Sequence, residues 1–302
     1  MEKVIIIGAG PAGISAALYA VRGNLDPLVI NNGIGALEKA EKIENYYGLE
    51  HPLSGQELYD TGIAQAKALG VRMLDAQVLG VGGFDTFVVK TTEGEFETQS
   101  LILATGSRRA APKIPGVKEF EGKGVSYCAI CDAFFYRGKD VAVLGNGDFA
   151  MHEAKELSNT ASTVTIYTNG EEPEFTPEGN ISVNTMKIQS VEGDDLVSGI
   201  RLAPDIQAQE MNADAGQQAN DFCPAAGVFI AMGTAGSTEI ARQMGADLTE
   251  KGNIKVDENM ETTIPGLYAA GDCTGGLLQV AKAVYEGAQA GINAGKYVRS
   301  LK

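Results

Sequence analysis

Two β-branched runs each enter a glycine turn and leave it as a helix, and this repeated pattern admits few folds. Val4 to Ile7 leads into Gly8-Ala9-Gly10-Pro11-Ala12-Gly13, after which small and apolar residues continue to Val21. Gly23 suits a helix C-cap and Pro27 to Ile30 supplies the next strand, completing a strand–helix–strand unit. In such a unit Gly8 permits the tight turn, Gly10 lets a pyrophosphate approach the backbone, and Gly13 lets the helix pack on the strand. The pattern returns at Val141 to Leu144, Gly145-Asn146-Gly147-Asp148-Phe149-Ala150 and a helical stretch to about Ser158, with Thr163 to Tyr167 as the following strand. The fold class predicted is α/β, with two Rossmann-like dinucleotide-binding domains. One departure stands in the first unit: Asn31 and Asn32 occupy the end of its second strand, where an acidic residue is expected to take the ribose hydroxyls. An amide can still make those hydrogen bonds.

Leu101 to Gly106 and Gly266 to Asp272 each read as a buried strand ending in a tight turn, and both return the chain to the first domain. Crossings near Pro112 to Gly116 and near Gly245 make the second domain an insertion in the first. The predicted bounds are 1–113 with 246–302, and 114–245. The polar stretch Asn212 to Asp221 reads as a surface connection.

A chain of 302 residues with 44 % hydrophobic residues is long enough for two such cores. Its formal net charge of -15 argues against nucleic acid or an anionic membrane surface as the main partner. The apolar start is broken by Gly8, Gly10, Pro11 and Gly13, so it does not read as a signal peptide, and no run approaches the roughly 18 apolar residues of a membrane span. Four cysteines are too few for a disulfide framework. A close pair without a secretion signal points to redox or metal chemistry in a reducing cytoplasm.

That pair is Cys128-Ala129-Ile130-Cys131, followed by Asp132. Thiol–disulfide exchange needs one thiolate to attack and a second to resolve the mixed disulfide, and two intervening residues at a helix start give the required reach. A helix N-terminus lowers a thiol pKa, and Asp132 can return a proton to a leaving thiolate. A zinc site would need more ligands, whereas Cys223 and Cys273 stand alone in the sequence and the only histidines are His51 and His152. Cys223 and Cys273 read as inert small residues, and His152 as a helix-packing or solvated one.

Taken in order, Gly8 to Gly13, Glu44-Asn45-Tyr46, Ala104-Thr105-Gly106, Cys128 to Asp132, Gly145 to Ala150, and Gly271-Asp272 followed by Gln279 resemble the low-molecular-weight flavin thioredoxin reductases over essentially the whole chain. The resemblance implies a cytoplasmic homodimer whose split first domain holds FAD and whose substrate is thioredoxin. It carries the pyrophosphate to Gly8, Gly10, Pro11, Ala12 and Gly13, with Thr105 and Gly106 in the same cofactor site. Asn45 comes to the flavin side, Asp272 to the ribityl chain, and Gln279 with Val280 to the pyrimidine edge. It assigns Cys131 to the flavin and Cys128 to attack on the protein substrate.

Members that use NADPH end the strand after the second glycine turn in His-Arg-Arg, which clamps the 2′-phosphate. This chain has Tyr167-Thr168-Asn169 there, no Lys or Arg from Thr163 through Asn180, and acids at Glu171, Glu172, Glu174 and Glu178. A 2′-phosphate would meet repulsion in place of bidentate hydrogen bonds. Gly233-Thr234-Ala235-Gly236 also departs from the family's Gly-x-x-Pro-Asn. The pattern is most like the ferredoxin-dependent flavin thioredoxin reductases, which implies reduced ferredoxin as donor. A flavin suits that exchange because it accepts single electrons and passes on pairs. An acidic ferredoxin would need a basic surface here, and Arg108, Arg109, Lys113, Lys118, Lys123, Arg137 and Lys139 lie close in sequence. Reduction by NADPH or NADH, and a flavin-dependent dithiol oxidase, are the alternative readings.

Overall fold

The computed structural model describes residues 1–83, 85–106, 112–204, 221–233 and 236–301. Arg108, Arg109, Thr234, Ala235 and residues 212–220 of the polar stretch lie outside the described residues. The chain divides into two compact units, Met1–Arg109 with Ala235–Lys302 and Ala110–Thr234, so the second interrupts the first.

The first unit begins with β1 (Glu2–Ile7), α1 (Pro11–Arg22) and β2 (Leu28–Asn31). Next come α2 (Gly55–Ala68), β3 (Arg72–Asp75), β4 (Val78–Gly82), β5 (Phe87–Thr91) and β6 (Gly94–Leu103). Ser54 and Glu57 close a reciprocal capping box that fixes the start of α2. The strands lie in the order β3-β2-β1-β6-β5-β4. β1 is flanked by β2 and β6, both parallel to it. Val4, Ile5 and Ile6 are fully buried, as are Leu101, Ile102 and Leu103 beside them. Each such side chain contributes roughly 1.5 to 3 kcal/mol of burial. The strand order reverses between β1 and β6, and a crevice at that reversal is where open α/β sheets bind ligands.

The second unit holds β7 (Val125–Ser126), α3 (Ala129–Asp132), β8 (Asp140–Leu144), α4 (Asp148–Ser158) and β9 (Thr163–Tyr167). It continues with β10 (Ile181–Asn184), β11 (Ile188–Gly193), β12 (Val197–Leu202), β13 (Phe222–Pro224) and β14 (Gly227–Ile230). A parallel sheet runs β10-β9-β8-β14-β7, and β11-β12-β13 form a separate antiparallel one. The second glycine turn therefore sits at the reversal between β8 and β14, as the first does between β1 and β6.

The chain re-enters the first unit with α5 (Ser237–Gln243), β15 (Leu267–Ala269) and α6 (Val280–Ser300). This return precedes the crossing expected near Gly245, because α5 is tied to the first unit: the Ser237 amide donates to Thr105 Oγ1 at 2.8 Å. β15 pairs with β6. Helix α6 packs on α1 through small residues. A Cβ at Gly287 would lie 2.0 Å from the Ala12 carbonyl oxygen, and one at Gly291 would lie 2.3 Å from that of Ala16. Both residue numbers rise together, so the helices are parallel and their N-termini share one end. Helix propensity alone favours Gly291→Ala by about 1 kcal/mol. The backbone oxygen cannot yield, and overpacking of this kind costs about 1 to 3 kcal/mol. We therefore expect Gly291→Ala to lower the thermal midpoint of the purified protein, and an unchanged or raised midpoint would contradict this packing.

Candidate active site

Cys128 and Cys131 are joined in a disulfide with their Cα atoms 5.4 Å apart, spanned by the single turn of α3. The Cys128 amide donates to Ser126 Oγ at 3.1 Å, and that hydroxyl donates to Asp132 Oδ2 at 2.6 Å. Asp132 is thus held beside the pair by the residue that orients Cys128. The Cys131 amide donates to Cys128 Sγ at 3.2 Å. The sequence suggested that a helix N-terminus would favour the thiolate. The helix has only four residues before it tightens into the 3₁₀ turn Ala133–Tyr136, so its macrodipole is small and the direct amide contact matters more.

Beyond the disulfide stand Ile130, Phe134 and Phe135, all exposed. Arg137 lies 5.4 Å from the centre of the Phe134 ring. Sequence reasoning passed over these aromatics. Their signal was an aromatic pair on a tight turn next to a polar, reactive motif, where burial would be expected.

The first glycine turn fits a dinucleotide. Gly8 has φ +107°, and a Cβ there would lie 2.4 Å from the Ala104 carbonyl oxygen, so only glycine lets β1 and β6 close at this point. A Cβ at Gly10 would meet nothing within 4 Å, which leaves the backbone open at the start of α1. Helix α1 has no side-chain cap and no acid in its first turn, and Pro11 removes one amide there that would otherwise be idle. Helix α6 also starts without a side-chain cap or an acid, with Gln279 as N-cap and Val280 first. Its N-terminus lies at the same end as that of α1. Both are therefore electropositive and available to phosphate or carbonyl oxygens.

Asn45 Nδ2 donates to Gln279 Oε1 at 3.0 Å, which joins two residues far apart in sequence that the family pattern places on the flavin side. Thr105 is locked reciprocally to Ser237, its amide donating to Ser237 Oγ at 3.1 Å, and Gly106 follows at φ +86°. Asp272 opens a 3₁₀ turn after Gly271. That turn is pinned by Glu286, which accepts from the Gly271 amide at 2.8 Å, and by Lys282, which donates to the Gly271 carbonyl at 2.8 Å. The residues so assembled, Gly8 to Gly13, Asn45, Thr105, Gly106, Asp272, Gln279 and Val280, suit FAD. Asn31 is otherwise engaged: its amide donates to Asp75 at 2.7 Å and accepts from the Tyr59 hydroxyl at 2.8 Å. Of the asparagine pair, Asn32 remains exposed for a ribose hydroxyl.

The second glycine turn is acidic where the first is not. The nearest atom to a Cβ at Gly147 would be Glu174 Oε2, at 4.0 Å, and the Glu174 amide donates to the Asn146 carbonyl at 2.7 Å. Asp148 occupies the first turn of α4. Glu174 thus brings a carboxylate to the glycine turn, and Asp148 adds an acid to the start of the helix that follows it. At the end of β9, Tyr167 and Thr168 are buried, and Thr168 donates to the Glu171 carbonyl of its own loop. Asn169 has φ +55° and accepts from the Ile188 amide at 2.9 Å. The residues standing where basic clamps are expected are committed to holding the loop.

Cys273 is buried and desolvation pushes its thiol up to about 12, so it stays protonated and inert at neutral pH. Cys223 is half-buried on β13, next to Tyr167, whose own pKa is raised mainly by burial. His152 is half-buried on α4. Among the described residues no helix is both long and apolar enough to cross a membrane.

Residues 2–287 match the family model described as pyridine nucleotide-disulphide oxidoreductase. The thioredoxin reductase of Aquifex aeolicus is 36 % identical over 89 % of this chain and 84 % of its own length. That of Treponema pallidum is 36 % identical over 99 % of this chain and 98 % of its own. Among solved structures, the atypical thioredoxin reductase TRi of Desulfovibrio vulgaris Hildenborough superposes with a TM-score of 0.87 at 38 % identity, covering 99 % of both chains. A ferredoxin-flavin thioredoxin reductase from Clostridium acetobutylicum gives 0.68 at 29 % identity, covering 99 % of this chain and 98 % of its own. Thioredoxin reductases of this family bind FAD, in agreement with the cradle around Gly8. With a glycine turn at each of two sheet reversals and a disulfide in the inserted unit, the chain belongs to the pyridine nucleotide-disulphide oxidoreductase family, among its thioredoxin reductases.

Proposed function

We propose that this protein is a thioredoxin reductase that holds FAD in its first unit, draws electrons from reduced ferredoxin and passes them through Cys128 and Cys131 to the disulfide of thioredoxin. Bound FAD would supply the conversion of single electrons into pairs. The observation that carries the choice of donor is the acidic second glycine turn, where the Glu174 carboxylate lies beside Gly147 and Thr168 and Asn169 replace the clamp. Repulsion at the pyrophosphate disfavours NADH as well as NADPH. An acidic donor needs exposed cations, and Lys113, Lys118, Lys123, Arg137 and Lys139 are all exposed on the inserted unit.

In the reduced state the Cys128 thiolate attacks a thioredoxin sulfur, and the other thioredoxin sulfur leaves with a proton from Asp132. Cys131, giving its thiol proton back to Asp132, then attacks Cys128 Sγ, releases the second thioredoxin thiolate and restores the disulfide observed here. Ile130, Phe134 and Phe135 offer an apolar surface beside the sulfurs, suited to a docking protein. The reading includes a homodimer in a reducing, cytoplasmic compartment, for which sedimentation and cell fractionation are the checks.

Protein as purified is expected to be yellow, with a flavin spectrum released by denaturation. A colourless protein that gains no flavin spectrum on incubation with FAD would remove the cofactor assignment. The donor is tested by anaerobic titration with NADPH, NADH and reduced ferredoxin, in which only ferredoxin should bleach the flavin at stoichiometric amounts. Steady oxygen consumption with added dithiol would instead support an oxidase.

A further inference from the structure

Helix α4 carries a carboxyl that the exchange chemistry above does not use. Glu153 is 1 % exposed, and its Oε2 accepts from the Ala129 amide at 2.6 Å, one residue beyond Cys128. Its Oε1 is buried with no hydrogen-bond partner among the described residues. A buried carboxylate with one oxygen unpaired is costly, so the site favours a carboxyl that can hold a proton. Desolvation, the largest influence, and the charge of Glu156 on the same helix raise its pKa to about 7, against the opposing hydrogen bond from Ala129. Asp132, on α3, is bonded to Ser126 instead.

We propose that Glu153 is a positioning residue for the redox pair, taking up a proton when the disulfide is reduced and so setting the thiolate fraction of Cys128. The inference rests on the reading that Cys128 and Cys131 form the exchanging couple. Two electrons break the S–S bond; one proton goes to Cys131 as a thiol, and the Cys128 sulfur is left as a thiolate. Its charge lies beside the peptide that Glu153 contacts, so an ionised Glu153 and the thiolate repel each other. The carboxyl therefore binds a second proton on reduction. It is neutral while Cys128 is a thiolate and ionises again once the disulfide re-forms. The sign follows from this order: above pH 7 the oxidised state loses the Glu153 proton while the reduced state keeps it. The couple should then take up more protons per two electrons than one thiol alone requires.

The test is a redox titration of the dithiol couple in the FAD-loaded protein from pH 6 to 9, with Cys128 alkylation rates measured at each pH. Neither readout uses ferredoxin, NADPH or thioredoxin. Glu153→Gln retains an acceptor for the Ala129 amide while abolishing the charge. It is expected to raise the Cys128 thiolate fraction at pH 8 about tenfold, one pH unit in the thiol pKa, and to flatten the pH dependence of the potential. Equal thiol pKa and equal slope in wild type and Glu153→Gln would overturn the proposal. If Glu153→Gln does not fold, infrared difference spectra of Asp132→Asn protein remain decisive. A protonated-carboxyl band gained on reduction at pH 8 supports it, and its absence refutes it. A wild-type pair that cannot be reduced reversibly would overturn the exchange reading itself, which shows before any variant is compared.

Discussion

Cys128→Ser and Cys131→Ser should each reduce thioredoxin no faster than the uncatalysed background while keeping a full complement of flavin. Exchange needs both thiols, because a lone thiolate that attacks a substrate disulfide has no partner to release it. The two variants should nevertheless fail differently. Cys131→Ser retains the attacking sulfur and should accumulate a mixed disulfide with thioredoxin, visible as a mass increase that dithiothreitol removes. Cys128→Ser should not. Flavin retention follows from placement: Gly8 to Gly13, Asn45, Thr105 and Gln279 belong to the first unit, whereas both cysteines are in the second. Cys223→Ser and Cys273→Ser should turn over normally, since burial keeps Cys273 protonated and Cys223 lies on a strand away from the pair in sequence. Near-wild-type turnover by either active-site variant would mean that the electrons take another route.

The glycine turns were legible because their requirements are local: a β-branched run, a positive φ and a small-residue helix follow one another within about twenty residues. The bounds of α4 and β9 follow from the same short-range signals. Cys128, Cys131 and Asp132 were legible for the same reason. Contacts across long separations were not. No local signal near Asn45 announces its bond to Gln279, which only the family resemblance brings to the same site, and the locking of Ser237 to Thr105, which draws the chain back before Gly245, depends on a fold already formed. Glu153 was invisible because a glutamate on a helix is ordinarily solvated, and only packing of α3 over α4 buries it. The acidic run after β9 could be counted in sequence, but not which acid reaches the glycine turn. Glu174 does so by crossing back to Asn146.

NADPH is expected to reduce this flavin very poorly, with an affinity lower than that of a clamped relative by on the order of 10² to 10⁴. Each lost charge-assisted contact to the phosphate is worth about 1.5 to 3 kcal/mol. Two are absent at Thr168 and Asn169, and roughly 3 to 6 kcal/mol converts to that ratio. Glu174 near the pyrophosphate position adds repulsion of roughly 1 to 4 kcal/mol, depending on how much water shares the site. The obvious graft, Tyr167→His with Thr168→Arg and Asn169→Arg, is expected to fail for a structural reason. It would place charge in a buried strand end and remove the Asn169 acceptor of the Ile188 amide. Glu171, Glu172 and Glu174 are exposed, so Glu174→Gln with Glu171→Arg and Glu172→Arg removes the repulsion without disturbing the loop. That variant should bind NADPH at least tenfold more tightly than the wild type, read by equilibrium dialysis, while the buried graft should lower the thermal midpoint. Stopped-flow mixing of anaerobic wild-type enzyme decides the larger question. Rapid bleaching of the flavin at micromolar NADPH would show that the carboxylates at the second glycine turn do not exclude the nucleotide, and the case for ferredoxin would lose its foundation.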